Sequence, residues 1–263
     1  MPHNEPNPVE LPPGIAIAWG LERPSTRGTK AELSATRIVE AAIRLADEEG
    51  LTAVSMARVA KDLGFTSMSL YRHLRSKEEL LVLMVDAAFG EPDIADIPGS
   101  TGPGSEPDWR TATRNWAKAI EQRYRRHPWI LDYPVTGPPA SPHELLWLEQ
   151  LLRALAPTSL TASEKLNSAL MLANLVRSST RMELDVADND SPAAFEAYVG
   201  MLFKLLDAEK HREVLGLFSD PELAVMEQAG DELSFALERY LDGMEALMLR
   251  RSSGAVQEGA DKE

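Results

Sequence analysis

The sequence has no cysteine. Disulfides, thiolate nucleophiles and Cys-ligated metal sites are thereby excluded, which suits a reducing cytoplasm. No run approaches the roughly 18 consecutive apolar residues of a membrane span, and the first residues lack the basic-then-apolar order of a secretory signal. The expectation is a soluble, cytoplasmic protein with no membrane partner. No alternation of apolar and polar residues points to a strand, and no internal repeat is visible. Catalytic signatures are missing too: there is no Gly-rich phosphate loop, no Ser elbow and no spaced pair of carboxylates. His143-Glu144-Leu-Leu-Trp147 opens like a zinc-protease helix. Trp147, however, fills the place of the second His, so that centre cannot be built, and His143 reads as a surface residue of a first helical turn. No metal, cofactor or catalytic residue is expected. What remains is a chain of 263 residues, long enough for one large or two modest domains, with a formal net charge of −14.

Against that acidic background, residues 55–77 hold Arg58, Lys61, Arg72, Arg75 and Lys77 with Asp62 as the single acid, five cations against one and a local net charge of +4. The pattern is two short helices joined by a tight turn. Ser55 is placed to cap the first, Val59 and Leu63 give it an apolar stripe, and Gly64 ends it, because glycine enters positive φ at least cost. Thr66 is placed to cap the second, in which Leu70 and Leu74 face inward. Ser67, Met68, Ser69, Tyr71, Arg72, His73 and Lys77 then share the ends and outer faces. Short polar residues at a helix start, followed by cations and a phenol, suit a helix entering a DNA major groove N-terminus first. Two amphipathic helices about a Gly turn are also ordinary packing in all-α proteins. The basic patch inside an acidic chain favours the DNA reading.

Ile38-Val-Glu-Ala-Ala, Gly50-Leu, Val59-Ala60, Leu63-Gly64, Leu70-Tyr71-Arg-His73-Leu and Lys77-Glu-Glu-Leu-Leu81 carry a family resemblance. Over residues 34–89 the chain resembles the DNA-binding domain of the tetracycline-repressor family, most specifically in Leu-Tyr-x-His-x-x-x-Lys. The resemblance implies a three-helix helix-turn-helix domain, a helical ligand-binding and dimerisation domain behind it, and a homodimer on palindromic double-stranded operator DNA. It also implies roles residue by residue: Tyr71, His73 and Lys77 contact phosphates, and Ser67, Met68 and Ser69 read bases. Ser55, Arg58, Thr66 and Arg72 complete the candidate DNA-contacting set. Ala57 stands where the tetracycline repressors themselves have a base-reading Arg, so their operator sequence does not transfer.

Residues 1–33 begin with a Pro/Asn/Glu-rich stretch expected to be disordered. A short apolar docking segment, Ile15-Ala-Ile-Ala-Trp19-Gly20, follows, and then a Pro/Ser/Thr/Gly segment carrying Arg23, Arg27 and Lys30. That last segment is either a basic arm for the minor groove or a flexible linker. The order Trp-Gly-Leu…Arg-Pro…Arg-Gly resembles the leader of one subclass of the family. The DNA-binding domain spans residues 34–90. Its first helix covers 34–49 and buries Ile38, Ala42, Leu45 and Ala46; its last begins at Ser76, where Ser76-Lys-Glu-Glu79 reads as a capping box. That last helix is the natural lever between domains. Residues 91–107, rich in Pro and Gly, form the linker.

Residues 108–251 read as the second helical domain. Helices are expected over 108–127, from Ser141-Pro-His-Glu144 with Leu145, Leu148, Leu152 and Leu155 inward, and from Thr161-Ala-Ser-Glu164 to residue 185. Another follows Ser191-Pro192, and Asp220-Pro221 opens a last region striped by Leu233, Leu237, Tyr240, Leu241, Met244 and Leu247. Residues 252–263 are expected to be disordered. Arg126-His127-Pro128-Trp129 and Thr136-Gly137-Pro138 resemble the tetracycline-repressor branch, which encloses ligands in a helical bundle. Where its tetracycline binders carry a His metal ligand and an Arg, this chain has Tyr133 and Gly137, which argues against a magnesium–tetracycline inducer. Trp116, Tyr133 and Trp147 are candidates to line a pocket for an apolar or aromatic effector, although residues of this kind are more often plain core. Asn174 and Arg177 are the better candidates, because a polar group within the apolar run 170–176 needs a partner. The chain thus reads as an all-α, ligand-released, homodimeric DNA-binding regulator. The alternatives are a DNA-binding dimer without an inducer, and an enzyme; operator release and substrate turnover separate them.

Overall fold

A computed structural model describes residues 11, 12, 14–21, 33–92, 108–186, 192–220 and 232–260, excepting the side chains of Pro192, Glu232 and residues 252–260. All regular structure among the described residues is helical, and the chain divides into two compact units, residues 1–158 and 159–263. The segment with Arg23, Arg27 and Lys30, most of the 91–107 linker, the Asp220-Pro221 helix start and the extreme termini lie outside the described residues.

The first unit contains α1 (Ile15–Ala18), α2 (Ala35–Glu49), α3 (Met56–Asp62), α4 (Ser67–Leu70), α5 (Lys77–Phe89), α6 (Trp109–Arg126) and α7 (Pro142–Leu155), with 3-10 turns at Leu51–Ala53 and Pro128–Asp132. α2 starts on Ser34, whose hydroxyl accepts the Arg37 N–H, and it buries Ile38, Ala42, Leu45 and Ala46 as expected. α3 starts on Ser55 in the same way, accepting from the Arg58 N–H. It ends in a Schellman motif: the Phe65 N–H donates to Ala60 O at 2.8 Å, the Gly64 N–H to Lys61 O at 3.2 Å, and Gly64 takes φ +75°. α4 is shorter than the sequence pattern implies. Only Ser67–Leu70 is α-helical, after which tight turns, such as the His73 N–H bond to Leu70 O, carry the chain to Leu74. Leu70 and Leu74 are nonetheless fully buried. Thr66 occupies the N-cap, yet its hydroxyl bonds the Ser69 hydroxyl at 3.0 Å instead of a backbone N–H.

α5 is capped by Ser76, which accepts the Glu79 N–H. Glu79 does not complete the expected box; its buried carboxylate accepts the Arg75 N–H at 2.6 Å, one residue earlier. α5 packs against α2, and α1 docks on α5. That docking depends on Gly14, which has φ +82°; a Cβ there would lie 3.0 Å from Val82 Cβ and 3.2 Å from the Glu79 backbone. Trp19 then donates its indole N–H to Ala140 O at 2.9 Å. α7 opens on the complete Ser141–Glu144 capping box. Its most buried face is Trp147, Leu151, Ala154 and Leu155, rotated from the expected Leu145/Leu148/Leu152/Leu155 stripe, of which Leu155 is fully buried and the other three are half-buried.

The second unit contains α8 (Ala162–Val186), α9 (Pro192–Leu205), α10 (Arg212–Phe218) and α11 (Glu232–Ala260). α8 begins on Thr161, which exchanges bonds with Glu164. It runs antiparallel to α11: Tyr240 donates its hydroxyl to Ser168 O at 2.9 Å, and Arg251 reaches Glu164 at 3.4 Å. Leu172 and Val176 on α8, and Leu237 and Leu241 on α11, are fully buried. α10, which the sequence reading does not anticipate, joins α9 through Phe218 against Phe195 and Tyr198. α11 continues to Ala260, into the stretch expected to be disordered; that stretch holds no Pro, and Ala, Gln and Glu are good helix formers.

Burial pushes the Tyr240 phenol up to about 12, against a smaller lowering effect of the Ser168 side chain. Below pH 10 the phenol is neutral in both folded and unfolded chains, so its contribution is complete there. Above that pH the unfolded chain ionises first, and stability falls as pH rises towards 12. Tyr240→Phe should cost about 1 kcal/mol at neutral pH through the lost hydrogen bond. Its unfolding free energy should also decline less steeply than that of the unsubstituted protein across this alkaline window. Identical slopes in denaturant titrations at stepped pH would show that Tyr240 is not the titrating group.

Candidate nucleic-acid interface

α3 and α4 bury Val59, Ala60, Leu70 and Leu74, which leaves their other faces outward. Ser55, Arg58, Thr66, Met68, Tyr71 and Arg72 are exposed, and Ser67, Ser69, His73 and Lys77 are half-buried. All ten expected DNA-contacting residues therefore lie on the first turns of α3, on α4 with the turns after it, and at the start of α5. Met68, at 73% exposure, is the most exposed large apolar side chain among the described residues. A thioether held out in water at the start of a helix contributes nothing to the core and is available to a partner.

The charges on this surface are sorted. Arg58 is tied to Glu49 through Nη2 and Oε1, and Arg44 lies 3.9 Å from Asp62. Arg72 has no acidic partner among the described residues. Beside Lys77, the Glu78 carboxyl is held below its usual range by its own backbone N–H, by the Ser76 hydroxyl and by the Lys77 charge. Glu78 is thus ionised at neutral pH and sits at the positive end of α5, where a carboxylate is favoured.

Behind this surface, the C-terminal end of α5 is gripped by α6 and α7. Asp86 is 7% exposed, and its two oxygens accept the His143 backbone N–H and the His143 ring Nδ1–H, each at 2.8 Å. Trp147 donates its indole N–H to Gly90 O at 3.0 Å, and Arg123 reaches Glu91 O while lying over the Trp147 ring. His143 is therefore not the surface residue the sequence suggested; it is half-buried because Asp86 needs its donors. A second junction joins Asp47, in the last turn of α2, to His127 and Trp129. Sequence reasoning missed both. The readable signal was Asp86 itself, a carboxylate inside the apolar face of Leu80, Met84, Val85 and Phe89.

The effector candidates divide between the two units. Trp116 and Trp147 are buried edge-to-face at 6.2 Å, with the Trp116 N–H donated to Trp147 O at 2.8 Å. Tyr133 is half-buried; burial first, and the charge of Glu144 second, push its phenol up. One turn before Trp116, Thr113 is fully buried with its hydroxyl unpaired, a residue the sequence reading did not single out. Asn174 and Arg177 belong to α8 in the other unit. Asn174 is exposed and Arg177 half-buried, and the neighbouring Leu170 and Met171 are 37% and 56% exposed. The premise that residues 170–176 bury an amide in an apolar run does not hold within the single chain.

A family model described as Tetracyclin repressor-like, C-terminal domain, matches residues 102–248, and one described as Bacterial regulatory proteins, tetR family, matches residues 38–84. The chain belongs to the tetracycline-repressor family. It is 34% identical over 246 residues to the HTH-type transcriptional repressor DrrR1 of Streptomyces coeruleorubidus, across 90% of this chain and 86% of that protein. In fold it resembles ActR of Streptomyces coelicolor. The ActR complex with actinorhodin aligns with a TM-score of 0.66 at 22% identity, covering 83% of this chain and 98% of ActR. The complex with (S)-DNPA gives 0.65 at 23% identity, covering 82% and 98%. This tetracycline-repressor-family chain is accordingly a helix-turn-helix, DNA-binding transcriptional regulator. No helix among its described residues is long and apolar enough to cross a membrane.

Replacing Asp86 by Ala in this regulator removes a buried double acceptor and leaves the His143 N–H at the start of α7 without its partner. The expected loss is about 3 kcal/mol of unfolding free energy. Urea titration of the full chain measures it. A loss below half a kcal/mol, a surface-substitution value, would show that α5 and α7 do not depend on this contact.

Proposed function

We propose that this regulator is a homodimeric repressor that acts in the cytoplasm on palindromic operator DNA, has no catalytic activity, and leaves DNA when a partly apolar or aromatic small molecule binds. The observation that carries the DNA assignment is the outward Ser67–His73 segment, with exposed Met68, Tyr71 and Arg72 beside a buried Leu70–Leu74 seam. In this reading Ser67, Met68 and Ser69 meet base edges, Met68 suiting a thymine methyl. Tyr71, Arg72, His73 and Lys77 meet phosphates. The relative DrrR1 is named a repressor, which supports the sign of regulation. ActR, alike in fold, has been solved with actinorhodin and with (S)-DNPA, which supports a small-molecule effector. For the effector site we favour the α6–α7 layer, where Thr113 offers an unpaired hydroxyl near the Trp116–Trp147 pair, with Tyr133, just after the Pro128–Asp132 turn, in reach of the Glu144 charge. Asn174 and Arg177 remain candidates on α8.

The dimer reading rests on apolar side chains left outside the core of the second unit. Leu166, Leu170 and Met171 on α8, with Phe235 and Leu249 on α11, are exposed on the faces opposite the α8–α11 seam. Two long helices presenting such residues form a self-complementary surface. Sedimentation of the purified protein at micromolar concentration should give a dimer, and Phe235→Asp with Met171→Asp should shift it to monomer. A stable monomer before substitution would contradict the dimer.

Selection from fragmented genomic DNA with the full chain should recover a palindrome whose half-sites are separated by whole turns, about 34–36 Å each. On that site Lys77→Ala should weaken binding to all sequences alike and lower the salt slope by about one unit, as losing one phosphate contact requires. Met68→Ala should instead change preference among sites, each lost base contact being worth about 1–3 kcal/mol. An unaltered salt slope in Lys77→Ala removes that residue from the phosphate set, and recovery of no enriched sequence removes the operator reading.

A further inference from the structure

Two helices of the DNA-reading head, α2 and α5, are each held at their C-terminal ends by the helices behind them. For α5 the holders are His143, Trp147 and Arg123. For α2 the polar hold is a single carboxylate, beside the packing of the Pro128–Asp132 turn against the helix. Asp47 Oδ1 accepts the His127 Nδ1–H at 2.8 Å and the Trp129 indole N–H at 2.7 Å, and the two rings stand edge-to-face at 6.2 Å. The His127 side chain is 12% exposed and that of Asp47 31%, so the contact is shielded on the ring side and reachable on the other.

The post that Asp47 grips is rigid. Trp129, Ile130 and Leu131 in the turn Pro128–Asp132 are all buried, and the turn packs against α2 and the Leu51–Ala53 turn. Asp47 is also badly placed for α2 itself, since it sits in the last turn beside Glu48 and Glu49, at the negative end of the helix dipole. Its value must come from the contact across to His127 and Trp129. A body held at one point can swing about it in every direction, whereas a second, separated hold leaves only rotation about the line that joins the two. Beside the α5 grip, the Asp47 grip restrains the swing of α2 against the Pro128–Asp132 turn.

We infer that Asp47 is a positioning residue for operator recognition: through His127 and Trp129 it locks the angle of the reading head and so sets which half-site spacing the protein accepts. The inference rests on the two-headed operator reading above. It assigns spacing selectivity to a residue that touches no DNA, and it adds a second line of communication from α6 to the head beside the one through α5.

The test uses the full chain, the duplex recovered by genomic selection, and two derivatives with one base pair inserted or removed at the dyad. One base pair moves the half-sites by about 3.4 Å and turns them by about 35°. The unsubstituted protein should bind the original spacing far better than either derivative. Asp47→Asn and Trp129→Phe should each weaken binding to the original spacing and narrow that preference by about tenfold, the factor expected for one charge-assisted hydrogen bond. A general loss of stability would lower affinity for all three duplexes together and leave the ratio unmoved. Equal ratios in variant and parent, where the parent discriminates, overturn the role of Asp47. If the parent itself binds all three duplexes alike, the two-headed reading is what fails, and amide exchange in the free protein decides the latch. Exchange at Ile130–Tyr133 should rise in Asp47→Asn while α3 keeps its protection; unchanged exchange there overturns the latch by itself.

Discussion

A carboxylate taken out of water must be given hydrogen-bond donors, and Asp86 finds both of its own on one residue, His143 in the first turn of α7. Much of the first unit follows from that requirement. The bond to the His143 backbone satisfies one of the N–H groups that a helix start leaves open, so α5 supplies a cap to α7 from outside it. With α7 fixed there, Trp147 is carried one turn along to Gly90 at the end of α5, and Trp116 of α6 closes on the Trp147 carbonyl and ring. Arg123 completes the set by bonding Glu91 O and covering the Trp147 face. The helix that begins in the DNA-reading head thus ends inside a knot of side chains from α6 and α7. That is why residues 1–158 pack as one compact unit.

Charge gives the same chain its orientation towards DNA. At a net −14 the protein as a whole repels a polyanion, so only a locally positive face can approach. The acids near that face are already engaged: Glu49 with Arg58, Asp62 near Arg44, and Glu78 at the start of α5. They offset cations at the edges and leave Arg72 without an acidic partner among the described residues, the point of entry in the proposed reading. The acidic remainder then discourages every other docking pose. In the proposed reading most of the surface contributes by repulsion, and the cations that follow α4 by attraction.

Legibility in the sequence follows the range of the interaction. Caps and turns at Ser34, Ser55, Gly64, Ser76, Ser141 and Thr161 act over three or four residues, and each stands where the sequence placed it. Apolar spacing was enough to find the inward faces of α2 and α11. On α7 it found Leu155 but not the rest of the buried face, because the rotation of that helix is set by Trp147 reaching Gly90, a partner 57 positions away. The same limit hid the Asp47 and Asp86 junctions, each spanning more than 50 positions, although a lone carboxylate in an apolar face was a visible hint. The burial premise behind Asn174 failed for a different reason. Treating residues 170–176 as core assumed one buried helix, whereas in a single chain α8 shows part of its circumference to solvent. The short α4 was invisible because tight turns after Leu70 bury Leu74 as well as another helical turn would.

The strength of these junctions also bounds what a regulatory ligand has to do. Releasing most of the protein from DNA requires the effector to prefer the DNA-incompetent state by about 100-fold, or about 2.7 kcal/mol. A hydrogen bond to a charged group contributes about 1.5–3 kcal/mol. The necessary coupling is therefore the size of one such bond at Asp47 or at Asp86, not of a rebuilt core. Both acceptors contact segments that run straight into the favoured effector layer: His127 and Trp129 lead to Tyr133, and His143 lies beside Glu144 and four residues before Trp147. A ligand that shifted Tyr133 or the α7 start by a few tenths of an ångström would lengthen one of these bonds, and hydrogen bonds weaken steeply once their geometry is lost. Linkage then works in reverse as well: DNA that holds both heads at the operator spacing stabilises the same two junctions, and so must weaken the effector by the same factor.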